Sequence, residues 1–255
     1  MPNPFFDPTQ AVKIIKRAMS NMQEQMNQAA KNLAEVAKDL PENTNIAQEF
    51  LAKRGWFIPF RNLPLARIKW IAECVKEKRS YNQIDEYLTE YIENSIPGII
   101  KDSEQYFDER FKILEEAFQA HKEERYALSI PTLLSQADGI FRDLFGKDFY
   151  KNDPDERNEI SKRILKKLNQ NEHRVTAASL SYVFIKQLHE ESSLHEPYSE
   201  TNIFEDGEDI ETLNRHEVLH GIAKKYDTKI NSTKAIGLIG LLVSAKRTLI
   251  KKGAV

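Results

Sequence analysis

The stretch from Pro8 to Lys38 constrains the fold more than any other segment of the chain. Ala, Gln, Lys, Glu, Met and Asn fill it, and most of these keep their side-chain freedom in a helix. Val12, Ile15, Met19, Met22, Met26, Ala29 and Leu33 recur along it at helical spacing. The rest of the chain agrees with this opening. Nine glycines and ten prolines are few for 255 residues, and alternating Val/Ile/Thr runs that would build strands are scarce. The expected fold class is therefore all-α, a helical bundle, and a hydrophobic content of 40% is enough to fill a core.

Pro41 is expected to end the first helix, with a shorter one from Asn45 to Lys53 behind it. The run Gly55-Trp56-Phe57-Ile58-Pro59-Phe60 cannot stay helical through Pro59 and reads as an aromatic plug between helices. Stacking of Trp56, Phe57 or Phe60 on bases is the alternative use of these rings. Helices are expected at Pro64 to Glu77, Tyr81 to Asn94 and Pro97 to His121, with Ser95-Ile96-Pro97-Gly98 separating the last pair. Another runs from Glu124 to Phe145, kinked at Pro131, with Leu128, Leu133, Leu134, Ile140, Phe141 and Leu144 buried. Asp155 to Leu168 and Thr176 to Glu191 follow, then a loop from Ser192 to Gly207. Closing helices at Ile210 to Tyr226 and Ser232 to Lys251 bracket a turn at Asp227 to Asn231.

Charge is distributed unevenly although the net charge is only -2. From Glu190 to Asn214 there are nine acidic residues and no Lys or Arg, whereas from Lys224 to the end eight basic residues face Asp227 alone. The basic end has the composition of a surface that tracks a nucleic-acid backbone, or of a solvated helix face. A single cysteine, Cys74, excludes an intrachain disulfide and a thiolate-rich zinc site, and it suits a reducing cytoplasm. The start MPNPFFDPTQ lacks the basic and apolar regions of a signal peptide, and Ala235 to Ala245 is too short to span a bilayer. Export and membrane insertion are not expected.

At the junction of the acidic and basic segments lies Asn214-Arg215-His216-Glu217-Val218-Leu219-His220-Gly221, onto which two chemistries can be written. His216 and His220 are i and i+4 on a helix, and Glu217 completes the pattern H-E-x-x-H, in which two imidazoles bind zinc and the carboxylate serves as base. Such a centre needs a third protein ligand. Downstream of His220 only Asp227 remains, and Tyr226 stands where a three-histidine pattern would have His. His189, His195 or an acidic-loop carboxylate would have to serve instead.

The second chemistry pairs Arg215 with His220 and requires no metal and no cofactor. A histidine titrates in the range needed to manage the proton of a 2'-hydroxyl or of its leaving group. A forked, permanent cation suits the developing charge on phosphorus. Five positions on a helix is a rotation of about 140°, so one motif aims its two groups imperfectly at one phosphate, and a two-fold partner would complete a composite pocket. Gln136 and Asp138, polar within an apolar helix, are candidates to orient either group or to bond a neighbouring helix. Gly221 is a place where helices or chains approach closely.

Arg215-His216-Glu217-Val218-Leu219-His220 resembles the Arg-x4-His motif of the HEPN superfamily, with a polar residue directly after the arginine. The run from Tyr126 to Ile140 and the helix from Ser232 to Leu249 look like earlier and closing core helices of HEPN-like bacterial proteins, so the resemblance covers about the C-terminal half. The division expected from its extent is an N-terminal helical region for sensing, partner binding or dimerisation, 1–96, and a second helical domain, 97–255. The resemblance implies a metal-independent endoribonuclease that cuts RNA by 2'-hydroxyl transesterification and acts as a homodimer. It also implies a toxin or effector role in abortive infection or other antiviral defence, with an antitoxin or sensor protein as a further partner. His220 would handle the proton, Arg215 would clamp the phosphate, and His216 and Asn214 would orient or cap. The plain alternative makes Arg215 salt-bridged, His216 exposed and His220 packed against the bundle, in a helical interaction module without catalysis.

Overall fold

The computed structural model describes residues 8–58, 63–148, 154–168, 194, 213–251 and 253. The described residues form eight helices and no strand: α1 (Pro8–Lys53), α2 (Leu65–Lys76), α3 (Asn82–Tyr106), α4 (Asp108–Lys122), α5 (Tyr126–Phe145), α6 (Pro154–Leu168), α7 (Arg215–Leu219) and α8 (Lys229–Lys251). The fold is all-α, as its composition implies. None of the described helices is long and apolar enough to cross a membrane.

The chain divides into two compact units, Met1–Glu42 and Asn43–Val255. The boundary expected at residue 96 falls instead inside α3. Two prolines also fail to end helices where they were expected to. Pro41 does not end α1, and Pro97 does not break α3. A proline inside a helix forfeits one N–H bond and crowds the carbonyl four residues back. Both Pro41 and Pro97 are exposed, where water can take up the freed carbonyl. Beyond Pro97, Ile99 packs against Gly240 of α8, Ser103 is buried and Asp102 accepts from Arg247 of α8, so contacts on the far side of the proline outweigh the local preference. The break comes at Phe107, whose buried ring and non-helical backbone (φ -131°, ψ 43°) turn the chain, and Asp108 and Glu109 then open α4 with charges that suit a helix start.

In the second unit α8 is the central element, packed against α3, α4, α5 and α6. From Asn231 to Ala245 every residue is buried except Gly240, which is half-buried. A helix apolar on nearly all sides can only be covered on all sides. Gly237 and Gly240 let α3 come close: a Cβ on Gly237 would lie 2.8 Å from Ile92 Cδ1 and 3.2 Å from the Phe57 carbonyl oxygen. Trp56, Phe57 and Ile58 are fully or almost fully buried, so this portion of the aromatic plug is core, while Pro59 and Phe60 lie outside the described residues.

Beside the plug sits a buried ion pair. Arg54 Nη2 donates to Asp85 Oδ2 at 2.5 Å, and Trp56 Nε1 donates to Asp85 Oδ1 at 2.7 Å. The Arg54 guanidinium lies over the adjoining rings of Phe50 and Tyr81, each centroid 5.5 Å away. Bonding on both carboxylate oxygens is what makes a buried charge tolerable.

On α5, Leu133, Leu134, Ile140, Phe141 and Leu144 are buried as the periodicity requires. Leu128 is not: it is 55% exposed, on the first turn, where it lines a cleft with Ile113 and Ala117 of α4. The helix expected from Ile210 to Tyr226 is only α7, Arg215–Leu219, within the described residues. The helix expected at 176–191 and the loop at 192–207 lie outside the described residues, Leu194 excepted.

Candidate functional site

Local chemistry explains the shortness of α7. Asn214 takes extended backbone (φ -101°, ψ 113°), and its Oδ1 accepts the Glu217 N–H at 3.1 Å, an N-cap. At the other end Gly221 adopts the left-handed conformation (φ 70°). The Ile222 N–H bonds the Glu217 carbonyl at 2.8 Å and the Gly221 N–H bonds that of Val218 at 3.3 Å, the pair of bonds that closes a Schellman C-cap. A Cβ at Gly221 would meet nothing within 4 Å, so this glycine provides the turn and not the close approach expected of it. Val218 and Leu213 are buried and anchor the segment.

The motif's side chains separate into two groups. Arg215 reaches inward to α5, where Nη2 donates to Asp138 Oδ2 at 2.5 Å and both side chains are roughly a quarter exposed. Burial pushes the Asp138 carboxyl above its ordinary range, and the guanidinium of Arg215 opposes that shift. His216 and His220 project outward, both exposed, with ring centroids 4.4 Å apart. His220 does not pack against the bundle. Asn214 is buried and acts as a cap.

Arg215 lines a cleft of about 390 Å³ together with Arg110 of α4 and Asp138, Gly139, Arg142 and Asp148 on or just after α5. Neither histidine is among the described residues that line it. Each guanidinium is aimed by a carboxylate. Arg142 pairs with Asp148, while Arg110 donates through Nε to Asp143 at 2.9 Å and through Nη1 to Gln136 at 3.3 Å. An arginine has five N–H donors in a fixed fork, so one held by an aspartate keeps donors for a second anion. Arg110 crosses α5 directly over Gly139, where a Cβ would lie 2.4 Å from Nη1. Asp138 thus holds Arg215, and Gln136 bonds a neighbouring helix.

Arg110, Arg142 and Asp148 carry no motif that sequence reasoning picks out. The signal that could have found them is Gly139, a glycine inside an otherwise strong helix, which marks a close approach.

A second polar cluster is equally invisible in the sequence, because its members lie 28 and 111 positions apart. His121 Nε2 is 2.8 Å from Glu93 Oε1 and Nδ1 is 2.7 Å from Ser232 Oγ, which is itself 2.9 Å from Ser129 Oγ. Burial lowers the His121 pKa, and Glu93 opposes the shift. A neutral imidazole that donates through Nε2 to the carboxylate must accept at Nδ1 from Ser232, whose oxygen in turn accepts from Ser129. Ser232 and Ser129 are fully buried, so neither hydroxyl can attack a substrate. The cluster ties the start of α8 to α3, α4 and α5.

For a metal, the described residues offer the His216–His220 pair but no group of three or more His, Cys, Asp or Glu side chains that could hold an ion. The candidate third ligands His189 and His195 lie outside the described residues. No family model, curated protein or solved structure matches the chain.

Proposed function

We propose that the protein is a metal-independent endoribonuclease of HEPN type, cutting RNA by transesterification of the 2'-hydroxyl, and that it serves as a toxin or effector in antiviral defence. The observation that carries this reading is the placement of Arg215. It stands half-buried, aimed by Asp138, in a cleft that Arg110 and Arg142 also line. Such a cleft suits a phosphodiester, with forked donors already oriented. His220 is exposed at the end of the same short helix, where its imidazole is open to solvent and to a partner. In this reading Arg215 holds the phosphate, His220 moves the proton, Asn214 fixes the helix start, and His216 stands against His220 and biases its orientation. Because Arg215 and His220 diverge, the active form is a homodimer in which one chain's cleft meets the other chain's histidine pair.

The test is cleavage of total RNA by purified protein in excess EDTA, with the ends analysed for 2',3'-cyclic phosphate and 5'-hydroxyl. Arg215→Ala and His220→Ala are each expected to lower the rate by about 100-fold or more, the usual scale for losing a proton-transfer group or a charge clamp. Intact RNA with every variant, and equal growth on expression of wild type and His220→Ala, would remove a constitutively active nuclease.

A zinc metalloprotease built on His216, Glu217 and His220 is favoured by one observation, the exposed histidine pair with facing rings. Its third ligand would have to come from outside the described residues. Stoichiometric zinc that is lost in His216→Ala, together with peptide cleavage, would establish this reading in place of the first.

A further inference from the structure

From Val12 to Leu40 the large apolar residues are spaced as heptads, Ile14 at a c position excepted. Val12, Met19, Met26, Leu33 and Leu40 stand seven apart, and Ile15, Met22, Ala29 and Val36 lie between them at the alternating three-and-four spacing. Those are the a and d positions of a coiled coil sustained over four heptads. A strict a/d stripe is narrower than the face by which a helix joins a globular core. Measured at 1.5 Å per residue, the seam from Val12 to Leu40 is about 42 Å long.

α1 is helical throughout this stretch, and every residue from Val12 to Lys31 is exposed. The seam side chains Val12, Ile15, Met19, Met22 and Met26 are 50%, 57%, 61%, 59% and 60% exposed. Five large apolar side chains in one line, half or more in water, are what a solvated helix does not carry without a partner.

We infer that this seam pairs with the same seam of a second copy of the chain, forming a two-stranded coiled coil along Val12 to Leu40. Three features select a second copy over another partner. An identical seam matches in length and spacing by construction, whereas a different protein would need its own four-heptad repeat. The flanking e and g positions from Ala18 to Ala37 are Ala18, Gln23, Gln25, Ala30, Asn32 and Ala37, without a charge, so nothing there repels an identical helix or selects an oppositely charged one. Arg17, Glu24, Lys31 and Lys38 stand at the positions opposite the seam, and the flanking charges are confined to its two ends, Lys16 and Asp39. Methionine at three central seam positions packs adaptably, which gives a moderate and reversible association. Pairing also holds two copies of the Arg215/His220 motif in one particle, raising the effective concentration at which they meet. The coiled coil is read out as mass and stands whether or not the protein is a nuclease.

The mass of the full chain is measured by light scattering or sedimentation at tens of micromolar. The wild type is expected at twice the 29.6 kDa chain mass. Met19→Glu/Met26→Glu places like charges across the seam and is expected to give the single-chain mass, with the cooperative melt of the remaining helices unchanged. Glu24→Lys/Lys31→Glu, on the outer face, is expected to remain a dimer. Met19→Leu/Met26→Leu packs the seam better and should lower the dissociation constant by about tenfold or more, which keeps the test informative if the glutamate variant fails to fold. A monomeric wild type, a particle of three or more chains, or a dimer that survives the glutamate pair would overturn the inference. The first outcome includes a seam taken by another protein, and the last places the contact on a different face.

Discussion

Arg215 illustrates how much a single side chain depends on what faces it. The residue type and its distance from His220 were legible in the sequence, and so was the chance that Asp138 would orient it. That Arg110 and Arg142 share its cleft was not, because they arrive from a different helix and from the next turn of α5. His121 carries the clearest residue-scale prediction. Its pKa in the folded protein lies below its ordinary value of 6.5, because burial disfavours the imidazolium more than Glu93 favours it. The unfolded chain therefore takes up the proton first as pH falls. Stability from this group is fully present above the ordinary value and is lost as pH drops from there through the lowered folded pKa. Urea midpoints of the wild type are expected to fall between about pH 7 and pH 5, the range spanning an ordinary histidine pKa. His121→Gln should start lower at pH 7, by about 1–3 kcal/mol for a buried network left incomplete, and should show a shallower decline over that range. An equal slope in both proteins would assign the pH dependence elsewhere.

Among the elements, α7 and α8 show opposite balances of local and tertiary control. Both ends of α7 are written in its own residues, an asparagine cap and a left-handed glycine, and a five-residue helix results where one from Ile210 to Tyr226 was expected. In α3 the local signal of Pro97-Gly98 is overridden by residues beyond it, Ile99 against Gly240 and Asp102 bonded to Arg247, which hold the helix on α8. The α3–α8 contact makes a graded prediction. Gly237→Ala gains helix propensity of about 1 kcal/mol but sets a methyl 3.2 Å from the Phe57 carbonyl oxygen, a backbone atom with little freedom to yield. Overpacking of about 1–3 kcal/mol should exceed the gain and lower the denaturation midpoint. Gly240→Ala meets only the tip of Ile99, at 3.0 Å, and should be close to neutral. If Gly237→Ala is instead the more stable of the pair, the close approach of α3 at this glycine is not limiting.

For the whole molecule, the division at Glu42 predicts that the chain from Asn43 to Val255 folds on its own. Ala47, Leu51 and Ala52, the residues of α1 that belong to the core, lie beyond the cut. A protein starting at Asn43 should melt within a few degrees of the full chain in calorimetry, and a large fall in the midpoint would show that residues 1–42 contribute to the core. Composition and periodicity by themselves determined that the chain is helical, which face of α5 is apolar from Leu133 onward, and that Trp56 to Ile58 belong inside. These follow from properties that each residue carries locally, propensity and the 3.6-residue period. Only the tertiary structure decided whether a proline ends a helix, to which unit a residue belongs, and which polar side chains meet. Arg54 with Asp85, His121 with Ser232, and Arg215 with Arg110 are neighbours because the packing of separate helices brings distant positions together. No local signal encodes which distant positions meet, since that depends on which helices pack against one another.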